Sequence, residues 1–138
     1  MQFGPVAPEA VEAVWPHAAP HLSGSFTRRV QAYDLDHLKE YCLSGACQLW
    51  VAFDEGRILG AAATLLTEEP LAKTCSIINL GGERLKEWIA LLDDKLTEFA
   101  RENGCQVVEA VTRKGFSRFV PGFEEDGIVY IKAIKDKI

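Results

Sequence analysis

Thr74-Cys75-Ser76-Ile77-Ile78-Asn79-Leu80, then Gly81-Gly82, then a run from Glu83 to Gly104, is the stretch that decides how this chain folds. The first seven residues read as a short buried strand, and the two glycines read as a sharp turn. Beyond the turn, Leu85, Trp88, Ile89, Leu92, Leu96, Phe99 and Ala100 recur at three-and-four spacing, which gathers them on one face of a helix. Lys86, Glu87, Asp93, Asp94, Lys95, Glu98 and Arg101 fill the other face. Gly104 can take the positive φ that ends a helix, and Cys105 to Val111 follows at once as another strand. Strand, helix and strand together have the length of a right-handed parallel crossover, which sets a helix N-terminus beside the carboxyl end of a strand.

Outward from that unit, 138 residues with 48% hydrophobic and 25% charged content suit one domain, residues 1–138, with its own core. A net charge of -5 argues against nucleic acid as the partner, because phosphate binding wants a basic field. The longest apolar runs fall short of a membrane span, and Met1-Gln2-Phe3-Gly4-Pro5 lacks the basic region of a signal peptide, so an intracellular protein is expected. Cys42, Cys47, Cys75 and Cys105 form no Cys-x-x-Cys pair and read as reduced structural thiols. No metal site is expected. His17 and His21 are four apart, but Pro20 falls between them and no third ligand lies near, so they read as exposed loop histidines.

Taken in order, Pro8 to Val14 begins a helix that Pro16 and Pro20 interrupt, and Asp34 to Leu43 forms a second helix capped by Asp34 or Asp36. Gln48 to Phe53 and Ile58 to Leu66 flank Asp54-Glu55-Gly56-Arg57, the pattern of a hairpin. Gly60 implies a bulge or a close backbone approach in its second strand. Arg113 to Val120 reads as a short helix or turn, and Gly127 to Ile134 as an apolar strand that finishes the sheet. A strand at such an edge invites pairing with a second copy, so a homodimer is expected.

The order helix, helix, hairpin, strand, long helix, strand, short helix, strand resembles the GNAT (GCN5-related N-acetyltransferase) superfamily from about Asp34 to the end. Gln48-Leu49-Trp50-Val51, Gly60-Ala61-Ala62-Ala63-Thr64, Asn79-Leu80-Gly81-Gly82 with Trp88, and Gly104-Cys105 with Arg113-Lys114-Gly115-Phe116 resemble the small GNAT-like proteins of bacteriophages and prophages. The resemblance implies an α/β (α+β) fold whose mixed sheet splays between its fourth and fifth strands, with helices on both faces. It also implies acetyl-CoA, or another acyl-CoA, in the splay, an amine on a small molecule or a protein as acceptor, and a place in the bacterial cytoplasm or in a virion.

The resemblance implies cofactor contacts at Ile78, Asn79, Leu80, Gly81, Gly82 and Arg84, with the backbone donor for the thioester carbonyl falling within Ile78 to Leu80. Aligning on Ala100 and Gly104 puts Arg84 at the first position of the family's pyrophosphate loop, but its two glycine positions hold Glu87 and Ile89. Gly81-Gly82 reads either as a substitute anion site or as a strand-to-helix turn. The tyrosine that protonates the leaving thiolate in the family is replaced by Arg118, and Tyr130, the nearest remaining tyrosine in sequence, reads either as the catalytic tyrosine reaching the gap or as a packed tyrosine of the last strand. Glu109 interrupts an otherwise apolar strand and is the general-base candidate, with an ion pair to Arg113 or Lys114 as its other reading. Two functions follow: an N-acyltransferase with a degenerate pyrophosphate loop, or a GNAT fold kept as a virion, structural or host-protein-binding module.

Overall fold

The computed structural model describes residues 1–26, 31–112, 116–118, 120–127 and 130–134. Five strands form one sheet in the order β1-β2-β3-β4-β5: β1 (Gln2–Val6), β2 (Gln48–Asp54), β3 (Arg57–Glu68), β4 (Lys73–Gly82) and β5 (Val107–Ala110). The first four pair antiparallel in turn, and β4 pairs β5 in parallel. The β2–β3 hairpin closes on Glu55 and Gly56, whose φ values of 49° and 76° are those of a tight two-residue turn.

Helices cover both faces. On one face lie α1 (Val11–Leu22) and α2 (Leu35–Ser44), where Val11, Trp15, Ala18, Leu22, Leu38 and Cys42 pack on Leu49, Val51, Ala61 and Ala63. On the other face, α3 (Leu85–Glu102) buries Trp88, Ile89, Leu92 and Leu96 against Trp50, Ala52, Ala62 and Ile77. Phe3 stacks between Trp50 and Trp88 there, at ring-centre distances of 5.6 and 6.0 Å. The alternation along β2 and β3 thus feeds two cores, as the pleat requires. Asp34 caps α2 by accepting from the His37 N–H at 3.0 Å, and Gly45 ends it in the left-handed region.

Three expectations change in the first strand and helix. β1 was not read as a strand, although it pairs along β2 from Gln2–Phe53 to Val6–Leu49. It carries Pro5 and lies at the sheet edge, where a missing N–H costs no ladder bond. The interruption expected at Pro16 and Pro20 does not occur, and α1 runs through both. Glu12, Pro16 and Pro20 all lie on its exposed side, so the carbonyls that lose a partner face water. His17 and His21 therefore sit on a helix and not in a loop, with His17 exposed and His21 Nε2 3.2 Å from the Ile58 carbonyl.

The strand expected from Gly127 to Ile134 is not found among the described residues. Residues 130–134 belong to no strand, and Ile128 and Val129 lie outside the described residues. Among the described residues the sheet ends on β5. Of the short helix expected from Arg113 to Val120, a 3-10 turn at Phe116–Arg118 is described, while Arg113, Lys114, Gly115 and Phe119 lie outside the described residues. No described helix is long and apolar enough to cross a membrane.

Candidate functional site

The sheet opens where two irregularities of β4 coincide. On its β3 side, Thr64 pairs with Ile77 and Ala63 with Asn79, so Ile78 is an extra residue with no opposite number. Such a bulge bends a strand and increases its twist. On its other side, β4 pairs with β5 only from Thr74–Val107 to Ile77–Ala110, and the Val111 N–H reaches the Ile77 carbonyl at 3.4 Å. From Ile78 onward β4 has no described partner on that edge. The two parallel strands therefore part at the bulge, as expected for the splay between the fourth and fifth strands.

The residues beside the opening have distinct surroundings. Ile77 and Leu80 belong to the core under α3, whereas Ile78 packs with the core under α1 and α2. Asn79 is 3% exposed, and its side chain is engaged at both ends. Its carbonyl oxygen accepts from Tyr33 Oη and its amide donates to Ser25 Oγ, both at 2.8 Å, and Ser25 in turn donates to the Leu22 carbonyl at 2.6 Å. Asn79 thus ties the segments after α1 and before α2 to the strand at the opening. Sequence reading assigned it to a cofactor, and missed this tie; the signal was a carboxamide inside an apolar strand, which must find partners when buried.

Glu109 lies on β5 one residue before the parting, paired with Ser76 of β4. The Ser76 hydroxyl donates to Glu109 Oε2 at 2.8 Å, and the carboxylate is otherwise exposed to solvent. The ion-pair partners expected for it, Arg113 and Lys114, lie outside the described residues. Tyr130 is 88% exposed and in no strand, and no described contact joins it to Glu109 or to the opening. An open groove of about 590 Å³ lies at the paired end of β4, lined by Glu68, Glu69, Lys73, Asn103 and Gln106. It lies at the other end of the β4–β5 pairing from the parting.

Gly81 and Gly82 are not a free turn. Both belong to β4 and pair with Ala61 and Gly60 of β3. A β-carbon on Gly82, at φ 149°, would stand 2.4 Å from the Gly60 α-carbon, and one on Gly60 would stand 2.4 Å from Trp88 Cζ2. The missing side chains let strands and α3 close on one another, which is a packing role. The Glu83 N–H continues the register by donating to the Leu59 carbonyl at 2.7 Å, and Trp88 Nε1 donates to the Glu83 carbonyl at 2.9 Å.

Arg84 caps α3 in the left-handed region at φ 54°. Its guanidinium meets Glu87 twice, through Nε to Oε2 and through Nη2 to Oε1, the latter at 3.0 Å. Those hydrogen bonds raise the arginine pKa above its ordinary value and lower that of Glu87. Arg57 pairs with Glu83, and Asp54 lies between the Met1 amino group at 3.2 Å and Arg84 Nη2 at 4.0 Å. The residues at the start of α3 do not fit the diphosphate of a coenzyme A. A carboxylate occupies the first turn where an anion would gain from the helix dipole, and the arginines nearby already face carboxylates. At the second glycine position, Ile89 is 7% exposed in the core. The opening itself, with a strand edge that has no partner among the described residues, does fit an extended amide-bearing arm such as pantetheine.

No protein-family model and no curated protein matches the sequence. Solved structures do. The chain is similar to an aminoglycoside acetyltransferase from an uncultured soil metagenomic sample, solved in complex with sisomicin, at 18% identity and TM-score 0.71 over 97% of this chain and 96% of that one. It is similar to the ribosomal-protein-alanine N-acetyltransferase of Brucella melitensis biovar Abortus 2308 at 14% identity and TM-score 0.70, over 96% and 99%. A predicted acetyltransferase of Clostridium acetobutylicum, solved with acetyl-CoA, is 15% identical at TM-score 0.65, over 95% of both chains. At these identities the likeness establishes the fold, which is that of the GNAT acetyltransferases over nearly the whole chain.

Proposed function

We propose that this GNAT-fold chain is an N-acyltransferase that takes an acyl thioester in the opening between β4 and β5 and an amine, on a small molecule or a protein, as acceptor. The observation that carries the reading is the bulge at Ile78 beside the last β4–β5 pair, Ile77–Ala110. Among the described residues it leaves the β5-side edge of β4 without a strand partner at Ile78, Asn79 and Leu80. An edge of this kind holds an extended ligand through main-chain hydrogen bonds. When bound, the thioester supplies the activated carbonyl. The chain supplies an edge that holds it extended and, at the exposed Glu109 carboxylate, a base for the proton that the amine sheds. Ser76 orients that carboxylate. Tyr130 is given no part. An overall charge of -5 favours a cationic acceptor, and the likeness to an aminoglycoside acetyltransferase is in keeping with an amine.

A second reading rests on Glu87. A chain that fills its own helix N-terminus with a carboxylate suits a GNAT fold kept as a binding or structural module, encoded by a phage and acting in a virion or on a host protein. Unfolding followed while acyl thioester is added separates the two. Ligand at about 1,000 times its Kd stabilises the folded state by about 4 kcal/mol, with a raised Tm. A Tm unmoved by millimolar acetyl-CoA and by millimolar S-acetylpantetheine leaves the module reading.

A further inference from the structure

We infer that Glu87 sets donor choice in this chain, selecting a pantetheine thioester without a diphosphate over a coenzyme A thioester. The inference rests on the proposed use of the opening and names the ligand class that the opening takes. Coenzyme A carries its thiol on an uncharged pantetheine arm and its negative charge on a nucleotide diphosphate. The arm needs an open strand edge, which Ile78 to Leu80 provide. The diphosphate needs cations or a clear helix N-terminus.

At the start of α3 the helix N-terminus is not clear and both nearby arginines are engaged. Glu87 stands in the first turn, and Arg84 is folded back onto it with two hydrogen bonds. Arg57 meets Glu83, and Asp54 takes the Met1 amino group while facing Arg84. A diphosphate placed there would have to pull Arg84 from Glu87 and then lie beside the carboxylate it had uncovered.

Calorimetric titration of the full chain and of Glu87→Gln with acetyl-CoA and with S-acetylpantetheine tests the inference, since the glutamine keeps the shape and removes the charge. The chain as it stands is expected to bind S-acetylpantetheine at least about threefold tighter than acetyl-CoA, and Glu87→Gln to tighten for acetyl-CoA by about tenfold while S-acetylpantetheine stays within about twofold. S-acetylpantetheine binding less than about threefold tighter than acetyl-CoA in the unaltered chain overturns the inference and leaves the acyltransferase reading intact. Failure of Glu87→Gln to gain for acetyl-CoA removes Glu87 as the selecting residue. Binding of neither thioester by either protein overturns the use of the opening and the inference with it.

Discussion

The His21 carbonyl oxygen at the end of α1 stands 2.0 Å from where a β-carbon on Gly81 would sit. Helix and strand therefore meet backbone to backbone at the outer end of the opening, and neither side can yield by turning a side chain. Gly81→Ala is expected to destabilise the fold by about 1–3 kcal/mol through overpacking. His21→Ala keeps that carbonyl and is expected to cost less. Urea denaturation of the two variants compares them directly.

Asn79 links Tyr33 and Ser25 while nearly excluded from water. Asn79→Ala removes two side-chain hydrogen bonds at a buried position, those with Tyr33 Oη and Ser25 Oγ, at a cost of about 1–3 kcal/mol. Tyr33→Phe removes one of the same bonds, so a double-mutant cycle should show the two losses to be less than additive. Full additivity in urea denaturation would mean that the bond is not made in solution.

Glu109 is exposed, and its one described hydrogen bond comes from Ser76. On the proposed function, Glu109→Gln lowers the acyl-transfer rate by about 100- to 10,000-fold, the usual span for a lost general base, with little change in Tm. Ser76→Ala, which only releases the carboxylate from its orientation, is expected to cost much less. Rates read as free thiol released from the donor distinguish them.

Burial pushes the Cys42 thiol up to about 12, helped by Cys47, and the Cys75 thiol up to about 11, helped by Cys105. An unfolded thiol titrates near its ordinary 9.0, so as pH rises the unfolded chain loses these protons first. Stability is then fully present below pH 9.0 and falls as pH climbs through the folded values of about 11 and 12. Denaturation midpoints measured from pH 8 to about pH 11 should decline accordingly. At pH 8 iodoacetamide should reach the half-buried Cys105 well before the buried Cys42, Cys47 and Cys75, as mass spectrometry of the labelled chain would show.

Periodicity made α3 legible from Leu85 to Glu102, and turn chemistry located the β2–β3 hairpin. The misplaced elements are those whose cause lies elsewhere in the fold. β1 has a glycine and a proline in five residues, and only the open edge of β2 makes it a strand. Two prolines hid α1, although Val11, Trp15, Ala18 and Leu22 keep helical spacing, because the face they interrupt is the one water can satisfy. Gly81 and Gly82 looked like a turn since nothing local announces that Gly60, Leu59 and His21 press against them. The bulge at Ile78 has no mark of its own, since Ile77 and Ile78 read as two ordinary strand residues. Glu87 and Ile89, by contrast, were readable as departures from a glycine loop, and Arg84 lies three residues before Glu87, close enough to pair on one helix face.

The opening past Ile77 is tested most directly by backbone amide resonances of labelled protein titrated with S-acetylpantetheine. If the arm lies along β4, amides within Ile78, Asn79 and Leu80 should shift and gain protection from exchange, while Thr74 and Cys75, already paired with β5, stay unmoved. Saturating thioester that leaves all three amides unchanged, or that shifts the paired half of β4 instead, would contradict the account.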